Sequence, residues 1–376
     1  MYIERTITQT IIQAIKPGKV VVLYGARQVG KSTLISHICQ QLNFTTFQTS
    51  ADDIEVRTIL SSQRTKELQN MVGNNQLIFI DEAQRVENIG LNLKIIIDSM
   101  PHVRIIVTGS SSLELAARIN EPLTGRKETF HLGPISFAEL AAHSSLFEAR
   151  QQLQLLMRYG SYPALLSLSG DQEKRAYLKN LLNDYLYRDI LNLGLVEKPA
   201  KLQQLLKLLA YQVGSEASLS ELGAQLQLDS KSVARYISLL EQSFVLFRLG
   251  GYSTNLRKEV SKKQKYFFWD VGVRNALIDR FEALELRQDT GALWENFLII
   301  EHRKRDYPNF EWIDDYFWRT KAGSEVDYIE VKDGRPQAFE VKWGGTRRPS
   351  AAAWRNNYPN APFTLINQDN FPDFIV

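Results

Sequence analysis

Residues 19–33, KVVVLYGARQVGKST, constrain this chain more than any other stretch. Val20 to Tyr24 is a continuous apolar run, which reads as a strand buried on both faces of a sheet. It stops at Gly25, and Gly25-Ala26-Arg27-Gln28-Val29-Gly30-Lys31-Ser32 then fits the spacing G-x-x-x-x-G-K-[ST]. Between a strand and a helix, those glycines let successive backbone N–H groups curl around phosphate oxygens, and the helix points its positive end at them. Lys31 would reach the β and γ phosphates of ATP, and Ser32 would ligate Mg2+. Gly25, Arg27, Gln28, Val29, Gly30 and Thr33 would complete the cofactor-binding set. The bland alternative is a glycine turn with an exposed lysine.

A second motif argues against that alternative. In Leu77-Ile78-Phe79-Ile80-Asp81-Glu82, four apolar residues run into paired carboxylates. Asp81 at a strand end would hold Mg2+, and Glu82 would polarise the water that attacks the γ phosphate. Acidic residues also end strands for no catalytic reason, but the pair separates a hydrolase from a mere binder. Two further strand signals, FTTFQT at 44–49 and RIIVTGS at 104–110, alternate with helical spacing such as Leu91, Leu93, Ile95 and Ile96. Strand and helix in alternation imply a parallel sheet with helices on both faces. Thr108, Ser110 and Ser111 end the last of these strands, where one of them would sense the γ phosphate or cap the next helix; Ser110 is taken as the binding residue.

The chain has 376 residues, enough for two or three domains. Its 44% hydrophobic and 23% charged content is that of a folded globular protein. No run of about 18 apolar residues offers a membrane helix, and the first residues lack a signal-peptide core, so a cytoplasmic location is expected. One cysteine, Cys39, excludes an internal disulfide, and the five histidines show no ligand spacing. A net charge of +3 leaves nucleic acid open as a partner, because phosphate binding depends on local clusters.

Beyond Phe137 the strand signals stop and 138–214 reads as helical. Residues 218–249 then carry two short helices, the first capped by Ser218 or Ser220, with a turn at Leu228 and Asp229 and a strand FVLFRL after the second. Two helices, a tight turn and a hairpin strand describe a winged helix-turn-helix. Its second helix would offer Lys231, Ser232, Arg235 and Tyr236 to a groove. The stretch from Arg248 to Lys265 holds six basic residues and one acidic, and Val341 to Arg355 holds four basic residues and no acid. Such stretches contact phosphates rather than read bases, so duplex or branched DNA is the expected partner. Solvated charge runs and a protein-docking winged helix are the alternatives.

Near the C-terminus, Glu295 lies on a helical stretch, Asp327 in SEVDYIEV, and Glu340-Val341-Lys342 on the strand after an Asp333-Gly334 hairpin turn. On paired strands, i and i+2 side chains share a face, so two carboxylates and an amine converge. Such a set can hold one or two Mg2+ ions, with Asp327 and Glu340 as ligands, and position a water for phosphodiester cleavage.

GARQVGKST, LIFIDEAQRV, VTGSSS and LTGRKETFHLGPISFAEL, in that order, resemble the AAA+-type P-loop ATPases that occur in bacteria and archaea fused to a domain of unknown function of the DUF4143 type. The resemblance extends through YGSYP at 159–163 and YLYRDI at 185–190. It implies an arginine finger at Arg126, with Arg118 as the fallback, acting on a neighbour's γ phosphate and therefore implying homo-oligomers. The C-terminal set resembles restriction-endonuclease-like nucleases with the PD-(D/E)-x-K signature, in particular archaeal Holliday junction resolvases. Val326 stands where the signature proline would be. That resemblance makes Glu295 the helix carboxylate, Asp327 and Glu340 the metal ligands and Lys342 the catalytic lysine.

The expected architecture is α/β: a P-loop parallel-sheet ATPase domain over 1–140, a helical linker over 141–200, a winged helix-turn-helix over 201–280 and a nuclease-like α/β domain over 281–376. Two functions fit it. One is an ATP-driven, magnesium-dependent enzyme that processes branched or duplex DNA. The other is a regulatory NTPase switch whose C-terminal domain is a catalytically dead scaffold.

Overall fold

The computed structural model describes residues 2–110, 122–183, 196–253, 263–306, 314–344 and 351–376. The chain divides into two units, one of Met1–Ile135 with two short later pieces, the other holding most of the chain from Ser136 onward.

The first unit alternates helix and strand: α1 (Thr8–Ala14), β1 (Val20–Tyr24), α2 (Lys31–Gln41), β2 (Thr46–Ser50), α3 (Ile54–Leu60), α4 (Thr65–Val72), β3 (Leu77–Asp81), α5 (Ile89–Ser99), β4 (Arg104–Gly109) and β5 (Lys127–His131). The five strands form one parallel sheet in the order β2-β3-β4-β1-β5. Every residue of β1 is buried, as its unbroken apolar run requires of a strand flanked by β4 and β5. Val20 and Val22 pack with Ile78, Ile80, Ile105 and Val107 and with Leu93 and Ile96 of α5. Each such side chain contributes about 1.5–3 kcal/mol by leaving water, which fixes the sheet as the platform for the loops at its carboxyl edge.

The second unit opens with five short helices, α6 (Phe137–His143), α7 (Leu146–Gln151), α8 (Leu153–Tyr159), α9 (Pro163–Ser167) and α10 (Asp171–Leu181). Ser136 starts α6 through a reciprocal capping box with Glu139. There follow α11 (Pro199–Tyr211), β6 (Glu216–Ser218), α12 (Leu219–Leu226), α13 (Ser230–Gln242), β7 (Leu246–Gly251), β8 (Lys263–Phe268) and α14 (Val271–Leu277). A capping box at Ser218 and Glu221 starts α12, and the Asp229 carboxylate caps α13 by accepting from the Lys231 and Ser232 amides. The turn between them is tight: a Cβ on Gly223 would lie 2.6 Å from the Leu228 carbonyl oxygen.

The remaining elements are α15 (Thr290–Asp306), β9 (Asp314–Arg319), β10 (Glu325–Lys332), β11 (Arg335–Val341), α16 (Ala352–Asn357), β12 (Phe363–Ile366) and α17 (Pro372–Ile375). Their strands join β6, β7 and β8 in one seven-stranded mixed sheet, β12-β11-β10-β9-β7-β8-β6. The seam is the parallel pairing of Gly250 and Gly251 in β7 with Tyr316 and Phe317 in β9. Strands from both sides of residue 280 thus belong to one sheet.

Candidate functional site

The P-loop is built where a buried strand meets a helix. Gly25 packs so closely that a Cβ there would sit 2.2 Å from the Leu132 carbonyl oxygen, and Gly30 starts α2 with φ of 96°. Only glycine meets both demands without strain. Lys31 is 5% exposed, and its Nζ donates to the carbonyl oxygens of Gly25 and Ala26, each at 2.9 Å. Burial pushes its pKa down to about 8, against the opposing pull of Glu82 and Asp81. A buried ammonium whose bonds among the described residues go to neutral carbonyls is poised to exchange them for an anion. Ala26 and Val29 are buried, while Ser32 and Thr33 are exposed on the first turn of α2 and Gln28 takes a left-handed conformation with φ of 63°.

Parallel pairing brings β3 and β4 beside this loop. The Ser32 hydroxyl donates to Asp81 Oδ2 at 2.6 Å, and the Thr108 hydroxyl donates to Asp81 Oδ1. Glu82 follows in a left-handed conformation, φ of 54°, that turns the chain off the strand. Its amide lies 3.2 Å from Asp81 Oδ1, and its carboxylate accepts from Gln84 Nε2, which also reaches Ser110 Oγ at 3.1 Å. One hydroxyl and one carboxylate in contact form the oxygen pair that suits Mg2+, an ion that takes its remaining ligands from phosphate and water. Sequence spacing placed Ser110 against the phosphate; the structure puts Thr108 on Asp81 and Ser110 behind Gln84. Thr108 is fully buried, as are its neighbours along β4, so no alternation in the sequence singles it out. Ser111 and Arg118 lie outside the described residues.

Arg126 stands elsewhere. Its carbonyl accepts from the Val20 amide at 2.9 Å, at the amino ends of β1 and β5, and its guanidinium pairs with Asp98 of α5. Five strand residues, roughly 16 Å, separate that edge from the P-loop. Arg126 therefore cannot serve the nucleotide pocket of its own sheet.

In the second unit, Glu295, Asp327, Glu340 and Lys342 come together. Extending the pairing of Tyr328 with Phe339 by one step sets Asp327 opposite Glu340. A register shift between Val326 and Ile329 gives β10 one extra residue against β9, a bulge that re-aims side chains at this position. The Val341 amide donates to Asp327 Oδ2 at 2.8 Å, and Lys342 Nζ lies 2.7 Å from Glu340 Oε1 and 3.7 Å from Asp327 Oδ2. Spacing did not anticipate Lys265 of β8. It is 2% exposed, and its Nζ lies 3.1 Å from Glu295 Oε1 and 2.6 Å from Glu325 Oε1. Burial alone would lower its pKa, but the carboxylates of Glu295, Asp327 and Glu325 overcome that and hold it charged, above the ordinary lysine value. Glu295 is pushed up to about 8 by burial and by Asp327, with Lys265 opposing. Glu340 is likewise raised by burial and Asp327. Among the described residues, no group of three or more histidine, cysteine or acidic side chains is arranged to hold a metal ion. Asp327 and Glu340, the expected magnesium ligands, lie in this cluster beside Lys342, while Lys265 pairs with its other carboxylates, Glu295 and Glu325.

The proposed groove-facing set also changes. Tyr236 is 1% exposed, and its hydroxyl accepts from the Lys198 amide, so it is core. Lys231 and Arg235 remain exposed on α13, Arg235 paired with Glu197 at 2.9 Å. Arg248 pairs with Glu241 at 3.2 Å and Lys263 with Glu221 at 3.8 Å. Residues 254–262 and 345–350, which carry other bases of the two basic stretches, and YLYRDI at 185–190 are outside the described residues. No described helix is long and apolar enough to cross a membrane.

Comparison with known proteins matches residues 17–141 to a family model described as an AAA domain. Residues 150–284 and 290–363 match two domains of unknown function, DUF8612 and DUF4143. An uncharacterized protein of Mycobacterium tuberculosis is 28% identical over 335 residues, spanning 88% of this chain and 71% of its own. One of Methanocaldococcus jannaschii is 23% identical over 332 residues, spanning 83% and 72%. Among solved structures, a Walker-type ATPase of Pyrococcus abyssi aligns over 74% of this chain and 96% of its own at 15% identity, with a TM-score of 0.47. A likeness that distant carries no functional weight. The family match over the loop, sheet and acidic pair does: the first unit is an AAA-type P-loop ATPase domain.

Proposed function

We propose that this chain hydrolyses ATP in its first unit and couples that turnover to a second unit that contacts duplex or branched DNA without cutting it. The observation that carries the proposal is the contact of Ser32 with Asp81 beside Glu82, one loop away from Lys31. On ATP arrival, Lys31 leaves the Gly25 and Ala26 carbonyls for the β and γ phosphates, while backbone amides of 27–32 cradle them. Ser32 and Asp81 are the residues that would hold Mg2+, which supplies neutralisation of phosphate charge. Thr108 keeps Asp81 oriented. Glu82 orients a water and takes its proton as the oxygen attacks the γ phosphorus and the bond to ADP breaks. Lys31→Ala should abolish turnover, and Glu82→Gln should bind ATP and trap it.

Because Arg126 lies at the far edge of its own sheet, it acts, in this proposal, on the nucleotide of a neighbouring copy, which makes the working form a homo-oligomer. Arg126→Ala should lose turnover that mixing with Lys31→Ala chains partly restores; no restoration would remove the finger from the scheme. DNA contact is supported by the two-helix turn followed by hairpin strands and by the exposed Lys231 and Arg235. A steep fall of DNA affinity with salt tests it, since neutralised phosphates release counterions. The alternative of a regulatory ATP switch with an inert C-terminal scaffold is favoured by one observation, Lys265 among the carboxylates; ATPase unaffected by any DNA would select it.

A further inference from the structure

The C-terminal carboxylates invite a divalent metal by residue type, and the structure answers that invitation with a lysine. Lys265 reaches the cluster from β8, within the 150–284 match, whereas Glu295, Glu325, Asp327, Glu340 and Lys342 belong to the 290–363 match or lie in it. The ammonium is buried and donates to two carboxylates from two different elements, α15 and β10. Each carboxylate of the expected catalytic set has one oxygen committed: Glu295 Oε1 to Lys265, Asp327 Oδ2 to the Val341 amide, Glu340 Oε1 to Lys342. Arg319, at 3.7 Å from Glu325 and 3.4 Å from Glu216 of β6, extends the network across the same sheet. Magnesium demands near-ideal octahedral oxygens at about 2.0–2.1 Å, and an ammonium at hydrogen-bond distance from Glu295 and Glu325, close enough to Asp327 to feel its charge, competes for that space.

We propose that Lys265 is the resident cation of this nest, standing where a divalent metal would stand, and that the nest ties the helix-turn-helix strands to the C-terminal strands instead of cleaving phosphodiesters. The bridge is made by charge: remove the ammonium and the carboxylates face one another with room for a metal. The inference is independent of ATP turnover, because none of these groups belongs to the P-loop unit.

The test is Mn2+ binding to the full chain without nucleotide, read by electron paramagnetic resonance, for wild type, Asp327→Asn, Lys265→Met and the Lys265→Met/Asp327→Asn double variant. Wild type and Asp327→Asn should give the same titration. Lys265→Met should gain one Mn2+ site per chain, at least tenfold tighter than any in wild type, and the double variant should lose it. A wild-type Mn2+ site that Asp327→Asn removes would overturn the proposal, as would a folded Lys265→Met chain that gains none. Should Lys265→Met fail to fold, the wild-type and Asp327→Asn pair still decides. ATP turnover of Asp327→Asn, measured in the same preparation, separates a failure here from a failure of the ATPase assignment.

Discussion

Lys31 in the first unit and Lys265 in the second are both buried, and their partners set them apart. Lys31 bonds to two neutral carbonyl oxygens of its own loop; Lys265 bonds to two carboxylates drawn from distant elements. A hydrogen bond from a charged group to a neutral carbonyl is worth about 1.5–3 kcal/mol and can be traded for a phosphate. A buried ion pair is costly to break, about 3–5 kcal/mol when one partner is removed. Burial lowers the pKa of Lys31, while carboxylates hold that of Lys265 up. The first lysine is available for chemistry. The second is spent on structure.

Giving both lysines the same substitution separates these roles most strongly. Lys265→Met should lower folding stability by about 3–5 kcal/mol, seen as a large drop in the denaturant midpoint, with ATP turnover per folded chain kept. Lys31→Met should lower stability less, by about 1.5–3 kcal/mol for the lost bonds to neutral carbonyls, yet reduce turnover by about 100- to 1000-fold, the range for losing one preorganised donor. If the two effects were interchanged, the contrast would be false. Thr108→Val tests the neighbouring carboxylate. Losing its hydrogen bond to Asp81 should weaken Mg2+-dependent ATP binding by about 1.5–3 kcal/mol, measured by calorimetry, and unchanged affinity would make Thr108 incidental.

The smallest effect is in pH. With the Lys31 pKa near 8 before nucleotide binds, the protonated form is half populated there and falls as pH rises. A phosphate needs the ammonium, so binding must restore the proton. ATP affinity should therefore weaken by up to about tenfold per pH unit above 8, accompanied by proton uptake, and Lys31→Arg should flatten the profile because arginine does not titrate there. A wild-type profile flat to pH 9.5 would contradict the assigned environment.

How much could be read from the sequence depends on how local each interaction is. The P-loop lies within 19–33, and its strand, glycines and helix declare themselves together; the acidic pair at 81–82 closes a run just as plain. Glu295, Asp327, Glu340 and Lys342 also emerged, because a hairpin joins the last three. Lys265 did not. It meets Glu295 across 30 residues and Glu325 across 60, and it sits in a basic stretch that reads as solvated. Tyr236 was misjudged because an aromatic on a helix gives no sign of its face until packing assigns one. Gln84, which bridges Glu82 and Ser110, was passed over as an ordinary residue after the acidic pair. The β7–β9 pairing that fuses the two C-terminal regions depends on strands more than 60 residues apart, with no turn to announce it.

The hydrolytic role proposed for Glu82 depends on the site that Lys31, Ser32 and Asp81 assemble around it. The decisive measurement is single-turnover hydrolysis of ATP by Glu82→Gln, at nucleotide occupancy matched to wild type. The expected result is retained ATP binding with turnover slowed by about 100- to 10,000-fold, the contribution of a positioned general base. Hydrolysis at the wild-type rate by that variant would contradict this role.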